Sequence, residues 1–160
     1  MLNKIVSGGQ TGADRGALDA ALARRFPCGG YCPSSRRAED GSIPARYLLE
    51  ELPTRRYQNR TRRNVKTSDG TLIVSSEPLT GGTRLTADHA EKMKRPWIVV
   101  SPEFPLSDEN RQQLLEWMKR RDIEVLNFAE PRASTASELY AVTERSVGWL
   151  IDTLSVPPRS

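Results

Sequence analysis

The chain has 160 residues, of which 37% are hydrophobic and 28% are charged. This is enough for one domain, residues 1–160, with a buried core, and it argues against disorder. The formal net charge of +4 favours anionic partners only weakly. An arginine-rich stretch at residues 55–63 comes with no aromatic platform and no known nucleic-acid motif. We therefore expect a solvated face there and no nucleic-acid partner.

No membrane partner is expected either, because the longest apolar run covers only residues 97–100. The N-terminus passes straight into a strand-like segment without the apolar core of a signal peptide. The two cysteines, Cys28 and Cys32, lie in one local stretch and suggest no disulfide framework. These features together predict a cytoplasmic protein.

Continuous apolar runs predict buried parallel strands at four places in the chain, and a weaker candidate lies near residues 29–32. The four runs are residues 4–6, 71–74, 97–100 and 124–128. Helical periodicity falls between them, at residues 17–26, at 82–93, from Ser107, and after a capping-box pattern at 135–138. Residues 28–66 read as irregular.

Alternating strands and helices predict a Rossmann-like, doubly wound α/β fold with a mainly parallel sheet of about five strands. We expect the first strand to be central. In such sheets ligands bind beyond the carboxyl ends of the strands. The loops that follow the strands are therefore the places to search for a site.

The first such loop, residues 7–16, joins the first strand to a helix, where glycines let backbone N–H groups approach a phosphate. It matches neither the dinucleotide fingerprint nor the lysine-bearing P-loop. A tight turn with Thr11 as helix cap and Asp14 in a capping-box contact explains those two residues but not the three glycines. We therefore favour an anion site. Its candidate residues are Gly8, Gly9, Gln10, Thr11, Gly12, Asp14 and Arg15.

Two further loops could contribute to the same site. Glycines before Thr83 again lead into a helix, and this second loop reads either as another anion cradle or as a flexible loop capped by Thr83. In the third, at 127–134, Arg132 could pair with a phosphate and Ser134 could donate to it, or the loop is solvated surface. The candidate residues of these loops are Gly81, Gly82, Thr83, Thr86, Arg132 and Ser134.

The opening motif at residues 7–16 resembles that of the family named "putative molybdenum carrier" proteins. This family lies in a Rossmann-like group that includes the lysine-decarboxylase-like nucleotide phosphoribohydrolases. Further matches are 37–41, 43–44, 57–61, Asn64, 68–73, 81–83 with Thr86, and 131–132 with Ser134. The resemblance implies a homo-oligomer that binds a phosphate-bearing small molecule, with the molybdenum cofactor (molybdopterin) or a nucleotide as ligand. Asp69 and Gly70, which precede the strand before the second loop, are also candidate binding residues, and Asp69 could orient a ribose hydroxyl if it faces the cavity.

Catalysis is not expected from this sequence. In the hydrolases that the chain resembles, a glutamate three residues after the threonine of the glycine motif helps to cleave the glycosidic bond. Thr86 stands at that position, and a hydroxyl cannot replace a carboxylate at neutral pH. Asp14 and the pair Glu39–Asp40 keep a nucleotide hydrolase open as an alternative, although helix capping and a solvated turn explain them better. A nucleotide-sensing regulatory protein is a third possibility.

No metal site is expected. His89 is the only histidine, and it lies on a different predicted element from the two cysteines. Metal sites usually need four ligands. Reduced thiols and a histidine on the surface of a helix account for these residues.

Overall fold

The computed structural model of the chain describes residues 1–76, 78–103, 105–129 and 136–155. The strands within these ranges are β1 (Lys4–Val6), β2 (Cys28–Gly29), β3 (Tyr31–Cys32), β4 (Arg37–Ala38), β5 (Gly41–Ser42), β6 (Glu50–Glu51), β7 (Gly70–Val74), β8 (Trp97–Val100) and β9 (Val125–Ala129). The α-helices are α1 (Ala13–Ala23), α2 (Tyr57–Lys66), α3 (Gly81–Lys92), α4 (Asp108–Arg120) and α5 (Ala136–Leu154), with a 3-10 turn at Ser34–Arg36.

Five strands form one sheet in the order β2-β1-β9-β7-β8, and every neighbouring pair is parallel. All five residues of β7 are buried, as their continuous apolar and small side chains require. The flanking helices complete an α/β, Rossmann-like arrangement. The predicted fold class is confirmed, and the four predicted strands lie within about one residue of their observed positions.

The expectation that β1 would be the central strand is wrong. The middle position belongs to β9, which pairs with β1 on one side and with β7 on the other. Helical crossovers let a late strand insert between two earlier ones, so chain order does not set strand order. The insertion brings the end of β9 between the loops that follow β1 and β7.

Helices α1 and α5 pack closely on the main core. A Cβ atom added at Gly16 would lie 2.6 Å from the Tyr140 carbonyl oxygen, so glycine is what permits this approach. The Tyr140 hydroxyl donates to Asp19 Oδ2 at 2.6 Å across the same helix pair. The core draws on the sheet and on α1, α4 and α5, with Ile5, Ala17, Leu126, Val147 and Leu150 fully buried.

Residues 28–66, predicted to be irregular, contain short strands and a helix. β3 pairs with β6 in parallel, and β4 pairs with β5 as an antiparallel hairpin. A small second core lies under this segment: Leu18, Cys32, Ala38, Ile43, Tyr47 and Leu49.

Helix α2 was not predicted from the sequence, because it has almost no apolar face. Only Asn64 and Val65 are buried within it. The Asn64 side chain holds the helix to β3, because its Oδ1 accepts from the Tyr31 N–H at 2.8 Å and its Nδ2 donates to the Tyr31 carbonyl at 3.2 Å. Two hydrogen bonds from one side-chain amide can hold a polar helix against a strand even when the helix has no hydrophobic stripe.

The helix starts differ in how they are capped. Ser107 caps α4 as predicted, with its Oγ accepting from the Asn110 N–H at 3.2 Å. The cap positions of α1 and α3 are Gly12 and Thr80, each next to or near the threonine expected there; Gly12 has no side chain, and Thr80 makes no side-chain capping hydrogen bond. The capping-box pattern at 135–138 begins outside the described residues.

Candidate functional site

A cleft of about 760 Å³ opens at the carboxyl edge of the main sheet. Its floor is the end of β9, and its walls are the starts of α1, α2 and α3 together with part of the hairpin β4–β5. The lining residues include Gln10, Thr11, Asp14, Arg37, Glu39, Arg56, Tyr57, Arg60, Gly81, Gly82, Leu85, Thr86, Asn127 and Phe128. This is the edge at which open α/β sheets bind ligands.

The first two glycine-rich loops predicted from the sequence meet at this cleft. Among the predicted residues that line it are Gln10, Thr11, Asp14, Gly81, Gly82 and Thr86. The other predicted residues of these loops, which support the cleft without lining it, are Gly8, Gly9, Gly12, Arg15 and Thr83.

Asp14 is the acidic group at the base of the first loop, and it is only 2% exposed. Its Oδ2 accepts from the Gln10 N–H at 3.1 Å and lies 3.4 Å from Arg60 Nη1. Burial raises the pKa of Asp14 above its usual value, while the positive charge of Arg60 and the hydrogen bond from Gln10 act in the opposite direction.

Gly8 is required by the position of Arg60. A Cβ atom at Gly8 would overlap the Arg60 guanidinium and would lie 2.7 Å from its Cδ. The glycine therefore lets this arginine cross the loop and reach Asp14. Glycine is required at position 9 for a different reason, because its φ is +73° and an added Cβ would lie 2.6 Å from Leu49 Cδ1 in the small core. A side chain at Gly9 would therefore disturb the fold before it affected a ligand.

The first loop is fastened to the β4–β5 hairpin. Arg15 pairs with both carboxylate oxygens of Asp40 at 2.7 and 2.8 Å and also donates to the Gly9 carbonyl at 3.0 Å. This bidentate pairing holds the pKa of Asp40 below its usual value. Gln10 adds two bonds to the hairpin backbone, donating to the Arg37 carbonyl and accepting from the Glu39 N–H. Arg15 thus holds the first loop against the hairpin.

Three arginines that the sequence interpretation assigned no role line the cleft: Arg37, Arg56 and Arg60. The Arg37 guanidinium stacks 4.6 Å from the centre of the Tyr57 ring and donates to the Arg55 carbonyl at 3.0 Å. Two of the three lie at or in α2, the helix that the sequence did not predict. Their signal was the arginine-rich stretch, which we interpreted as a solvated face.

The second loop presents the start of α3 to the cleft. Gly81 has a φ of +53°, and Cβ atoms added at Gly81 or Gly82 would meet nothing within 4 Å. The Thr86 hydroxyl donates to the Gly82 carbonyl at 2.9 Å, and the Thr83 hydroxyl donates to the Thr80 carbonyl at 2.8 Å. The glycines therefore keep a helix N-terminus, with its partial positive charge, uncovered by side chains.

Asp69 and Gly70 do not belong to this cleft, which corrects their assignment as binding residues. They lie at the opposite, amino-terminal edge of the sheet, where Asp69 Oδ2 accepts from the Glu124 and Val125 N–H groups at 3.1 and 2.8 Å. A Cβ at Gly70 would lie 2.6 Å from Ile123 Cδ1. Asp69 therefore fixes the entry to β9 and cannot face the cavity.

Arg132 and Ser134 lie outside the described residues. Within the described ranges no group of three or more His, Cys, Asp or Glu side chains could hold a metal ion. A search of the same ranges for a helix long and apolar enough to cross a membrane finds none.

Comparison with known proteins relates residues 5–151 to the family model described as "Circularly permutated YpsA SLOG family". A similar solved structure is the crystal structure of a protein named "Putative molybdenum carrier protein" from Syntrophus aciditrophicus SB, with 44% sequence identity and a TM-score of 0.83. The alignment covers 92% of this chain and 94% of that one. No curated protein matches. The resemblance drawn from the sequence motifs is thereby confirmed.

Proposed function

This chain belongs to the circularly permutated YpsA SLOG family, and we propose that it binds a phosphate-bearing small molecule in the cleft without altering it chemically. The two ligand classes that we propose are the molybdenum cofactor, carried or stored as cargo, and a nucleotide. The name of the similar solved structure supports the first class. The proposed assembly is a homo-oligomer.

The observation that carries this proposal is the convergence of positive charge on one cleft. Arg37, Arg56 and Arg60 line it together with the start of α3 at Gly81 and Gly82. A helix N-terminus and arginine forks are the two donor types that proteins use most readily for phosphate oxygens. Arg60 has a counter-ion in Asp14, so Arg37, Arg56 and the helix start supply most of the attraction.

The size and the remaining lining suit a phosphate joined to an organic group. About 760 Å³ lies within the usual range of roughly 300–1,000 Å³ for small-molecule sites. Leu85, Phe128 and Ala129 give the cleft an apolar part beside its charged part. Inorganic phosphate alone would leave that part unused.

Binding without chemistry is supported by the Thr86 side chain, whose hydroxyl is committed to the Gly82 carbonyl. A threonine at this position cannot stabilise positive charge that develops on a ribose. A nucleotide hydrolase is the second candidate, and the position of Asp14 favours it: a buried carboxyl with a raised pKa lines the cleft. Release of free base from a nucleoside monophosphate, lost in Asp14→Asn, would establish that alternative.

The first test is mass spectrometry of small molecules that co-purify with the protein. The second is calorimetric titration with inorganic pyrophosphate and with ADP. Arg56→Gln should weaken the binding of both probes roughly five- to tenfold, because a charge-assisted phosphate contact is lost. Arg62→Gln is the matched control, since Arg62 is an exposed residue of the same helix that does not line the cleft.

Equal effects of the two substitutions would indicate general electrostatic attraction and contradict a site at the cleft. Gel filtration of the purified protein, with and without ADP, tests the proposed homo-oligomer. A change of oligomeric state on ADP binding would favour a nucleotide-sensing regulator over a carrier.

A further inference from the structure

Asn127 lies in the floor of the cleft, in the middle strand β9, and is only 3% exposed. Its Nδ2 donates to Thr71 Oγ1 at 3.3 Å on the neighbouring strand β7. Its Oδ1 is buried and accepts no hydrogen bond from the residues that the structure describes. Buried side-chain acceptors are satisfied in most proteins, so an exception in a ligand cleft calls for an explanation.

The orientation of the amide does not remove this exception. Thr71 is fully buried and offers one hydroxyl, which can satisfy only one end of the Asn127 amide. If Nδ2 donates to that hydroxyl, Oδ1 has no hydrogen-bond donor among the described residues. If the amide is rotated and the hydroxyl donates to Oδ1, the two Nδ2 protons are left over instead. The structure shows the first arrangement, so a strong acceptor without a partner remains at the floor of the cleft.

A phosphate group cannot satisfy that acceptor, because ionised phosphate oxygens only accept hydrogen bonds. The arginines and the α3 N-terminus, in contrast, only donate toward the cleft. Two parts of the lining are therefore complementary to different groups. The arginines and the helix start complement an anion that accepts hydrogen bonds, and Asn127 Oδ1 complements a hydrogen-bond donor. Both parts are matched by one molecule that has a phosphate at one end and an N–H or O–H group at the other.

We propose that Asn127 is a specificity-determining residue, whose Oδ1 accepts a hydrogen bond from an N–H or O–H group on the organic part of a phosphate-bearing ligand. This inference rests on the proposed binding function and extends it. The ligand class that follows is a phosphate ester of an amino- or hydroxyl-bearing group, as opposed to inorganic polyphosphate. The apolar neighbours Leu85 and Phe128 provide the surface against which such a group would pack.

The test compares two probes that share a diphosphate: inorganic pyrophosphate, which carries no organic donor, and ADP, which carries amino and hydroxyl donors. Calorimetric titration gives the dissociation constants of both for the full-length protein. In the unaltered chain ADP should bind more tightly. Asn127→Leu, which keeps the shape but removes the acceptor, should weaken ADP roughly five- to tenfold and change pyrophosphate less than about twofold.

Two variants separate recognition from folding. Asn127→Asp keeps an oxygen acceptor and the size of the side chain, so the preference for ADP over pyrophosphate should persist even though the added charge weakens both. Thr71→Val removes the partner of Nδ2 and leaves Oδ1 in place, and it should also preserve the preference. Thermal melting of each variant checks that it folds, and loss of the preference in Asn127→Asp would overturn the role of Asn127 even if Asn127→Leu did not fold.

Equal losses for the two probes in Asn127→Leu, or loss of the preference in Asn127→Asp, would overturn the role of Asn127. So would a wild-type protein that binds pyrophosphate as tightly as ADP. In all three cases the anion site would survive. A wild-type protein that binds neither probe would instead remove the proposed function on which the inference rests.

Discussion

Substitution of Arg60 by methionine removes the positive charge that faces buried Asp14 but keeps most of the apolar stem. The Arg60 and Asp14 side chains are 13% and 3% exposed, so little solvent screens their interaction at 3.4 Å. Breaking a buried ion pair costs about 3–5 kcal/mol when the remaining charge has no other partner. Asp14 keeps its hydrogen bond from the Gln10 N–H and the nearby charge of Arg15, so we expect a smaller loss of about 2–3 kcal/mol.

The loss should depend on pH in a defined direction. Burial already raises the pKa of Asp14, and Arg60 opposes that shift, so the pKa in the variant should rise further. A group whose pKa is raised on folding favours the native state when it is protonated. The stability difference between wild type and Arg60→Met should therefore be small near pH 4, should grow as the pH rises from the Asp14 pKa of the wild type to that of the variant, and should level off above the latter.

Thermal and urea unfolding at pH 4 and pH 8 measure both effects. A loss of about 2–3 kcal/mol corresponds to a Tm decrease of roughly 4–12 °C for a chain of this length. Arg84→Met is the control, because Arg84 pairs with Asp88 at 2.7 Å but both side chains are nearly half exposed. Despite its shorter distance, that pair should contribute little to stability. A Tm for Arg60→Met equal to that of the control, or a loss that is the same at both pH values, would refute this reasoning.

Three further outcomes follow from the same geometry. Gly9→Ala should lower the free energy of unfolding in urea by about 1–3 kcal/mol, because the φ of Gly9 is positive and the added Cβ would contact the small core. Gly81→Ala should cost less, since only its φ is unfavourable, and equal costs would contradict this. The pKa of Asp40, measured by carbon NMR, should rise in Arg15→Met. The variant should therefore lose less stability than wild type as the pH falls below about 3.8, and an unchanged pKa would argue against the pairing. The protein should release no free base from nucleoside monophosphates by chromatography, and gain of release in Thr86→Glu would show that only the carboxylate was missing; release by the unaltered chain would contradict binding without catalysis.

The strands of the main sheet could be predicted because burial on both faces demands continuous apolar sequence. Residues 71–74 carry that signal and are all buried, whereas residues 97–100 are as apolar but form the edge strand, in which only Val100 is buried. The start of α4 was equally clear, because Ser107 followed by two acidic residues is a local capping signal. Strand order carries no such local signal, which is why the middle position of β9 could not be foreseen.

Only part of the candidate site could be predicted from the sequence. Its glycine loops follow strands and precede helices, a pattern visible along the chain, but its cations and its floor come from other elements. Arg60 reaches the first loop only because α2 packs beside it, and α2 has no apolar stripe to predict it. Asn127 stood at the start of the third candidate loop, but no binding role was assigned to its side chain. Asp69 was misplaced because it was grouped with the second glycine-rich loop, although that loop follows β7 and Asp69 precedes β7, at the other edge of the sheet.

The distribution of helix caps connects the fold with the proposed binding function. Ser107 caps α4, which begins away from the cleft, and such a cap contributes about 1 kcal/mol. At the cleft the cap residues of α1, α2 and α3 are Gly12, Arg56 and Thr80, and none makes a side-chain capping hydrogen bond. At α3, Cβ atoms added to Gly81 and Gly82 would meet nothing within 4 Å, so this helix start is left open toward the cleft, where a ligand phosphate could accept hydrogen bonds from its N–H groups. The proposed binding function accounts for glycine at position 82, because a side chain there would have room and would favour the helix more than glycine does.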